Sequence, residues 1–85
     1  MTDADLMEIV TRTLFSVAPD LEGEPIDPER TFREQFEIDS MDFLNFVIGL
    51  NKLTGLEIPE AHYRQIDTAA GAVEYLRTHW PRAIS

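Results

Sequence analysis

The sequence predicts an all-α fold, a small antiparallel bundle of helices that forms a single domain over residues 1–85. Apolar residues recur at three- and four-residue steps in three separate segments, which is the spacing of amphipathic helices. No segment makes a convincing strand. The length leaves room for one small core and none for a second lobe.

The first helix is predicted over Asp3–Val17. Its apolar stripe consists of Leu6, Ile9, Val10, Leu14 and Val17. Thr2 or Asp3 can cap its N-terminus, where the helix dipole favours acidic side chains. Pro19 ends the helix.

Residues 18–37 are predicted to form a long connecting loop, because they contain three prolines and Gly23. Phe32 and Phe36 are expected to tie this loop to the core. Acidic residues are concentrated here: Asp20, Glu22, Glu24, Asp27, Glu29, Glu34, Glu37 and Asp39, with only Arg30 and Arg33 among them. Such a run is most often solvated surface; the alternative is a face that attracts basic partners.

The second helix is predicted over Ser40–Thr54, with Gly55 as its stop and Pro59 preventing continuation. One stripe is expected in the core: Phe46, Val47, Leu50 and Leu53. A second stripe lies beside it: Met41, Leu44 and Ile48. Because the two together are wider than one core-facing seam needs, the second stripe either lines the interior or forms an exposed patch.

A short helical turn is expected over residues 60–64. The last helix is predicted to begin at Thr68, with Asp67 and Thr68 as rival caps. It is expected to fray near Trp80 and Pro81. Four of its residues should point inward: Ala69, Ala72, Val73 and Leu76.

Composition excludes several classes of function. Sixteen acidic residues against seven basic ones give a net charge of −9, which repels nucleic acid and anionic membranes. The chain has no cysteine, hence no disulfide framework and no thiol nucleophile. No apolar run approaches the length of a transmembrane helix, and the N-terminus opens with acids rather than a basic signal region. We therefore expect a monomeric, cytoplasmic protein without nucleic-acid partners or membrane insertion.

Ser40 stands where the acidic loop gives way to the apolar run. In one interpretation Asp39 is the N-cap and Asp42 completes an acidic variant of a capping box, so that Ser40 is an ordinary first-turn residue. In the other, the Ser40 hydroxyl carries a phosphate group, which the unpaired amides and the dipole of a helix N-terminus bind well. Local chemistry alone favours the first interpretation.

The segment "FEIDSMDFLNFVIGLNKLTGLEIPE", followed by "YRQIDTAAGAVEYL", resembles the acyl carrier proteins. The family pattern has Asp-Ser-Leu at the start of the second helix, a Glu-Ile-Pro-acid turn after it, and Ile-x-Thr before the last helix. Here these motifs appear at residues 39–41, 57–60 and 66–68. Three spaced motifs are far more specific than one tripeptide, and they reverse the preference at Ser40.

The resemblance implies a four-helix bundle, with three main helices, one short helix and a long first loop, in which Ser40 carries a 4′-phosphopantetheine arm. A separate, magnesium-dependent phosphopantetheinyl transferase would donate the arm from coenzyme A. The thiol of the arm would hold acyl groups as thioesters for acyl-transferring, condensing or ligase enzymes. The absence of cysteine agrees with an imported thiol.

The resemblance also implies which residues the transferase and the partners recognise: Asp39, Met41, Asp42, Leu44 and Ile48. Asp39 would help to position the serine and the metal ion of the transferase complex. Met41, Leu44 and Ile48, with Phe43 beside them, would form a rim that partners contact and between which an acyl chain can slip.

The chain departs from the family pattern. Glu37 and Ile38 stand where Leu-Gly is common, so the loop lacks a glycine, and Met41 replaces leucine. Three residues of the second helix replace common acids: Asn45, Asn51 and Lys52. These replacements favour a specialised carrier in lipid or secondary-metabolite biosynthesis over a carrier that serves the usual partners of fatty acid synthesis. The alternatives are a peptidyl carrier of nonribosomal synthesis and a helix-binding interaction module that never carries the arm.

An enzyme is disfavoured, because no G-x-S-x-G elbow surrounds Ser40, and we assign no catalytic residue. His62 and His79 are expected to face solvent. They lack the paired spacing of metal ligands, so no metal site is assigned to them. The acidic loop lacks the alternating ligands and central glycine of a calcium loop.

Overall fold

The computed structural model describes residues 2–79, which form four α-helices: α1 (Asp3–Val17), α2 (Phe32–Phe36), α3 (Ser40–Thr54) and α4 (Ala69–His79). Two 3₁₀-helices lie in the connections, at Pro19–Leu21 and Glu60–Ile66. Residues 2–79 contain no strand, only an isolated bridge between Thr31 and Thr68. The all-α fold class is confirmed. The end predicted for the last helix, near Trp80 and Pro81, lies outside the described residues.

The helix starts follow local capping chemistry. The Thr2 hydroxyl accepts a hydrogen bond from the Asp5 amide (3.2 Å), and the Asp5 carboxylate accepts one from the Thr2 amide (3.0 Å). Hydrogen bonding to Thr2 holds the pKa of the Asp5 carboxyl below its usual value. The Thr2 backbone has the larger effect and the Thr2 side chain the smaller one. At α4 the Thr68 hydroxyl accepts from the Gly71 amide (3.0 Å), so Thr68 rather than Asp67 is the cap.

The core lies where α1 packs against both α3 and α4. Its buried side chains from these three helices include Leu6, Val10, Leu14, Phe46, Val47, Leu50, Ala69, Ala72, Val73 and Leu76. The inward positions predicted for α4 are therefore confirmed. Tyr75, which the sequence did not single out, is also buried, and burial raises the pKa of its hydroxyl.

The prediction for Leu53 is wrong, because half of this side chain (50%) is exposed. Thr54 takes the core position in the last turn of α3, four residues after Leu50. The Thr54 hydroxyl can be buried there because it donates to the Leu50 carbonyl (2.7 Å). Leu53 is left at the edge of the stripe.

The long connection between α1 and α3 is not all loop, since α2 and the first 3₁₀-helix interrupt it. The two predicted apolar ties are confirmed. Phe32 is buried and packs edge-on against Phe46, with ring centroids 5.2 Å apart, and Phe36 is half-buried against the core. The Phe32 amide also donates to the Asp67 carbonyl (2.9 Å), which ties α2 to the start of α4.

The prediction that both histidines face solvent is wrong for His62. This ring is half-buried, and its Nδ1 lies 2.8 Å from the Tyr75 hydroxyl oxygen. His79 is exposed, but its ring stacks on Tyr75 with centroids 4.1 Å apart. His62 and Tyr75 belong to different elements, so spacing along the chain carried no signal for this contact.

The acidic segment, defined as residues 20–42, has no ion pairs of its own. Within residues 2–79 the salt bridges lie on α1 and α4: Arg12–Glu8, Arg77–Asp3 and Arg77–Glu74. These are exposed pairs, which contribute little to stability. Repulsion within the acidic segment is therefore not offset by pairing.

We expect salt to stabilise the bundle by screening this repulsion. Raising sodium chloride from about 0.02 M to about 0.5 M should raise Tm by about 4–8 °C, the shift that about 1 kcal/mol produces in a domain of this size. Thermal denaturation followed by circular dichroism measures it. The variant E22Q/E24Q should depend less on salt than E57Q/E60Q, which removes the same charge outside the segment. A Tm independent of salt would contradict the expectation.

Candidate functional site

Ser40 is the first residue of α3 and is exposed. Asp39 is the N-cap, as predicted, and its Oδ1 accepts a hydrogen bond from the Asp42 amide (2.9 Å). The second half of the predicted capping box is wrong: within residues 2–79 the Asp42 carboxylate returns no bond to the Asp39 amide. The amides of Ser40 and Met41 have no acceptor within the helix, because they open its first turn.

A guanidinium reaches the Ser40 hydroxyl from α2. Arg33 Nη2 donates a hydrogen bond to Ser40 Oγ at 2.6 Å, and both residues are exposed. The sequence did not reveal Arg33 as a site residue, because a residue in a long loop has no defined position. The only available signal was a basic residue seven positions before the serine, which is too common to be informative.

The turn from α2 into α3 has a left-handed residue. Glu37 has φ 57° and ψ 33°, and within residues 2–79 it is the only residue other than glycine with positive φ. Its amide donates to the Arg33 carbonyl (3.0 Å), which closes α2, and Ile38 after it is buried. The family pattern places its glycine at position 38, but the left-handed conformation, which glycine adopts without a Cβ penalty, falls at Glu37.

The second apolar stripe of α3 is exposed, which decides between the two alternatives for it. Met41 is 65% exposed, Leu44 40% and Ile48 43%, and we call these three residues the apolar rim. Phe43 does not join them as expected. It is half-buried, and its ring packs against Phe46 and Tyr63, with centroids 6.1 Å and 5.8 Å away.

Phe43 and Tyr63 line a groove between α2, α3 and the second 3₁₀-helix, with a volume of about 290 Å³. Its other lining residues are Thr31, Phe32, Arg33, Arg64 and Asp67. The groove adjoins the candidate serine, because Arg33 both lines it and contacts Ser40 Oγ. The groove thus combines aromatic surface with two arginines, one of which, Arg33, contacts this hydroxyl.

Two other features are absent from residues 2–79, a metal-binding cluster and a membrane-spanning helix. No group of three or more histidine, aspartate or glutamate side chains there is arranged to hold a metal ion. No helix in this part of the chain is long and apolar enough to cross a membrane.

Comparison with known proteins identifies the family. A family model described as "Phosphopantetheine attachment site" matches residues 10–76. The acyl carrier protein of Rubrobacter xylanophilus is 37% identical over 54 residues, which cover 64% of this chain and 67% of that protein. The chain belongs to the acyl carrier protein family.

Two further acyl carrier proteins support the assignment. The protein of Lactobacillus johnsonii is 30% identical over 59 residues, covering 69% of this chain and 74% of the relative. The protein of Cyanidioschyzon merolae is 29% identical over 79 residues, covering 93% and 86%. The resemblance found in the sequence is confirmed, and membership implies a covalently attached 4′-phosphopantetheine.

The described residues fit this cofactor. A phosphodiester link needs an exposed hydroxyl, and Ser40 offers one within the matched residues. The other serine in that range, Ser16, donates its hydroxyl hydrogen to the Thr13 carbonyl of its own helix (2.7 Å). The added negative charge would lie between Asp39 and Asp42, and the Arg33 guanidinium supplies the opposite charge at the same oxygen.

Glu37→Gly is expected to stabilise this carrier by roughly 0.5–1 kcal/mol, because it relieves the strain of the left-handed backbone conformation. The gain is no larger because glycine also increases the conformational entropy of the unfolded chain. Urea denaturation measures the change in unfolding free energy. Glu37→Gln is the matched control, since it removes the same charge and keeps the Cβ. If the glutamine variant were as stable as the glycine variant, charge and not backbone conformation would explain the effect.

Proposed function

We propose that Ser40 carries the 4′-phosphopantetheine arm, and that the chain is a specialised acyl carrier of lipid or secondary-metabolite biosynthesis. Acyl groups would be held as thioesters on the thiol of the arm. One observation supports the attachment above all. The hydroxyl of the Asp-Ser-Met motif is exposed at the first position of α3, hydrogen-bonded to Arg33 and beside an aromatic groove.

Attachment would be a phosphoryl transfer catalysed by a phosphopantetheinyl transferase. Ser40 Oγ attacks the coenzyme A phosphorus that bears the pantetheine, and a new O–P bond forms. The bond from that phosphorus to the bridging oxygen breaks, adenosine bisphosphate leaves, and the serine proton passes to a base of the transferase. This chain presents the hydroxyl: Asp39 fixes the first turn of α3 and, we propose, faces the metal ion of the transferase.

Later partners, which are acyl-transferring, condensing or ligase enzymes, would dock on α3. The apolar rim and Asp42 form the surface proposed for them. Asn45 and Lys52 are exposed where a basic partner would prefer acids, and Lys52 would repel it. Asn51 is held structurally, since its Nδ2 donates to the Leu56 carbonyl (3.0 Å). Docking would therefore depend on apolar contact with a dedicated enzyme.

Ser40→Ala is expected to abolish modification completely. Intact mass is measured after coexpression with a broad-specificity phosphopantetheinyl transferase, and the wild type should gain the mass of one phosphopantetheine. Ser16→Ala is the matched control and should be modified like the wild type. A wild type that never gains the arm would favour the interaction module. A gain by Ser40→Ala would place the arm elsewhere.

We expect this chain to function poorly as a carrier in general fatty acid synthesis. A housekeeping transacylase should load malonyl groups onto the holo-protein at least about tenfold more slowly than onto a typical acidic carrier, because steering charges on α3 are missing. The variant N45E/K52E should partly restore the rate. Radiolabelled malonyl transfer measures it.

The charge change needs a control at another place on the surface. A4E/R12E adds the same three negative charges on α1, at two exposed positions, and should leave malonyl loading slow. Equal rates for the wild type and the acidic carrier would refute the specialised-carrier proposal. Rescue by both double variants would show that net charge matters and the position on α3 does not.

A further inference from the structure

We propose that Arg33 is a positioning residue for the attached arm. Its guanidinium holds the phosphodiester on Ser40 and directs the first part of the arm into the groove beside Phe43 and Tyr63. The inference rests on the proposed attachment to Ser40, and it extends that proposal by assigning the arm a binding surface on this chain.

The contact distance supports the grip on phosphate. Arg33 Nη2 lies 2.6 Å from Ser40 Oγ. In the modified protein the phosphorus is bonded directly to this oxygen, and the charged phosphate oxygens come one bond later. They therefore fall within reach of the same guanidinium with no movement of α2. A planar guanidinium can bind two phosphate oxygens at once and binds them more strongly than a neutral hydroxyl.

The charges around Ser40 also favour Arg33 as the group that binds the phosphate. Asp39 and Asp42 flank Ser40, so a phosphate on its hydroxyl needs a cation nearby. Arg33 is that cation, and no salt bridge formed within residues 2–79 includes it. Its backbone is held in place, because its neighbour Phe32 is buried and bonded to the Asp67 carbonyl.

The groove gives the arm a direction. Phe43 follows Ser40 by three residues and is therefore its neighbour on the surface of α3. Phe43 and Tyr63 meet edge to face, and together they offer aromatic surface to the two methyl groups that follow the phosphate in the arm. The volume of about 290 Å³ is just below that of usual small-molecule sites, so it suits the first part of the arm only.

The test is nuclear magnetic resonance on wild-type protein labelled with ¹³C and ¹⁵N, before and after modification confirmed by intact mass. The Arg33 Nε–Hε signal should shift on modification, and the arm methyl groups should show nuclear Overhauser effects to the Phe43 and Tyr63 rings. The first arm amide should have an order parameter above about 0.6, whereas a free arm falls below that value.

Variants separate a specific grip from general charge. In Arg33→Gln the ring contacts should disappear and the order parameter should fall below about 0.6, with partial retention in Arg33→Lys. Arg30→Gln is the matched control, because it removes a guanidinium from the same connection at a residue outside the groove. It should keep the ring contacts. Circular dichroism confirms that each variant is folded.

The outcomes distinguish the two proposals. A wild type that never gains the arm refutes the attachment, and this inference falls with it. A modified wild type without the Arg33 shift or without the ring contacts refutes the inference alone, whether or not any variant is modified. Equal losses in Arg33→Gln and Arg30→Gln would also overturn it, because they would indicate a diffuse positive field.

Discussion

The burial of Phe32 is the constraint on which the site depends. A helix of five residues is too short to be stable by itself, so α2 exists because it is anchored. The Phe32 ring packs on Phe46, and the Phe32 amide donates a hydrogen bond to the Asp67 carbonyl. These two contacts join α2 to two other parts of the fold. A buried phenyl ring contributes about 3–5 kcal/mol, enough to fix so short a segment. Arg33 is placed beside Ser40 as a consequence.

The side chains of α3 lie in three different environments: the core, the groove and the solvent-exposed surface. Its core face, centred on Phe46 and Leu50, holds the helix against α1. Phe43 lines the groove next to Ser40, and the apolar rim faces outward. A helix that is apolar around most of its circumference is unusual at the surface of a small domain. The excess apolar surface is explained if it is kept for binding rather than for folding.

Much of this could be predicted from the sequence because it is local. Apolar period, caps and stop signals gave the bounds of α1 and α3, and three spaced motifs gave the family. What failed depends on contacts across the fold. Leu53 lost its core position to Thr54, and His62 is drawn inward by Tyr75. Arg33 became a site residue only once α2 had been placed by packing.

The net charge of the chain offsets the tendency of the exposed apolar rim to self-associate. Three exposed apolar side chains on one helix face would favour self-association in a neutral protein. A net charge of −9 keeps copies of the chain apart, while α3 carries only Asp42 and Lys52 as charges. The repulsion therefore acts between whole molecules, whereas Leu44 and Ile48 of the rim lie on a helix whose two charges cancel. If a partner docks on α3 as proposed, its apolar surface would meet little electrostatic barrier around Leu44 and Ile48, and the acidic segment would attract any basic surface that the partner has.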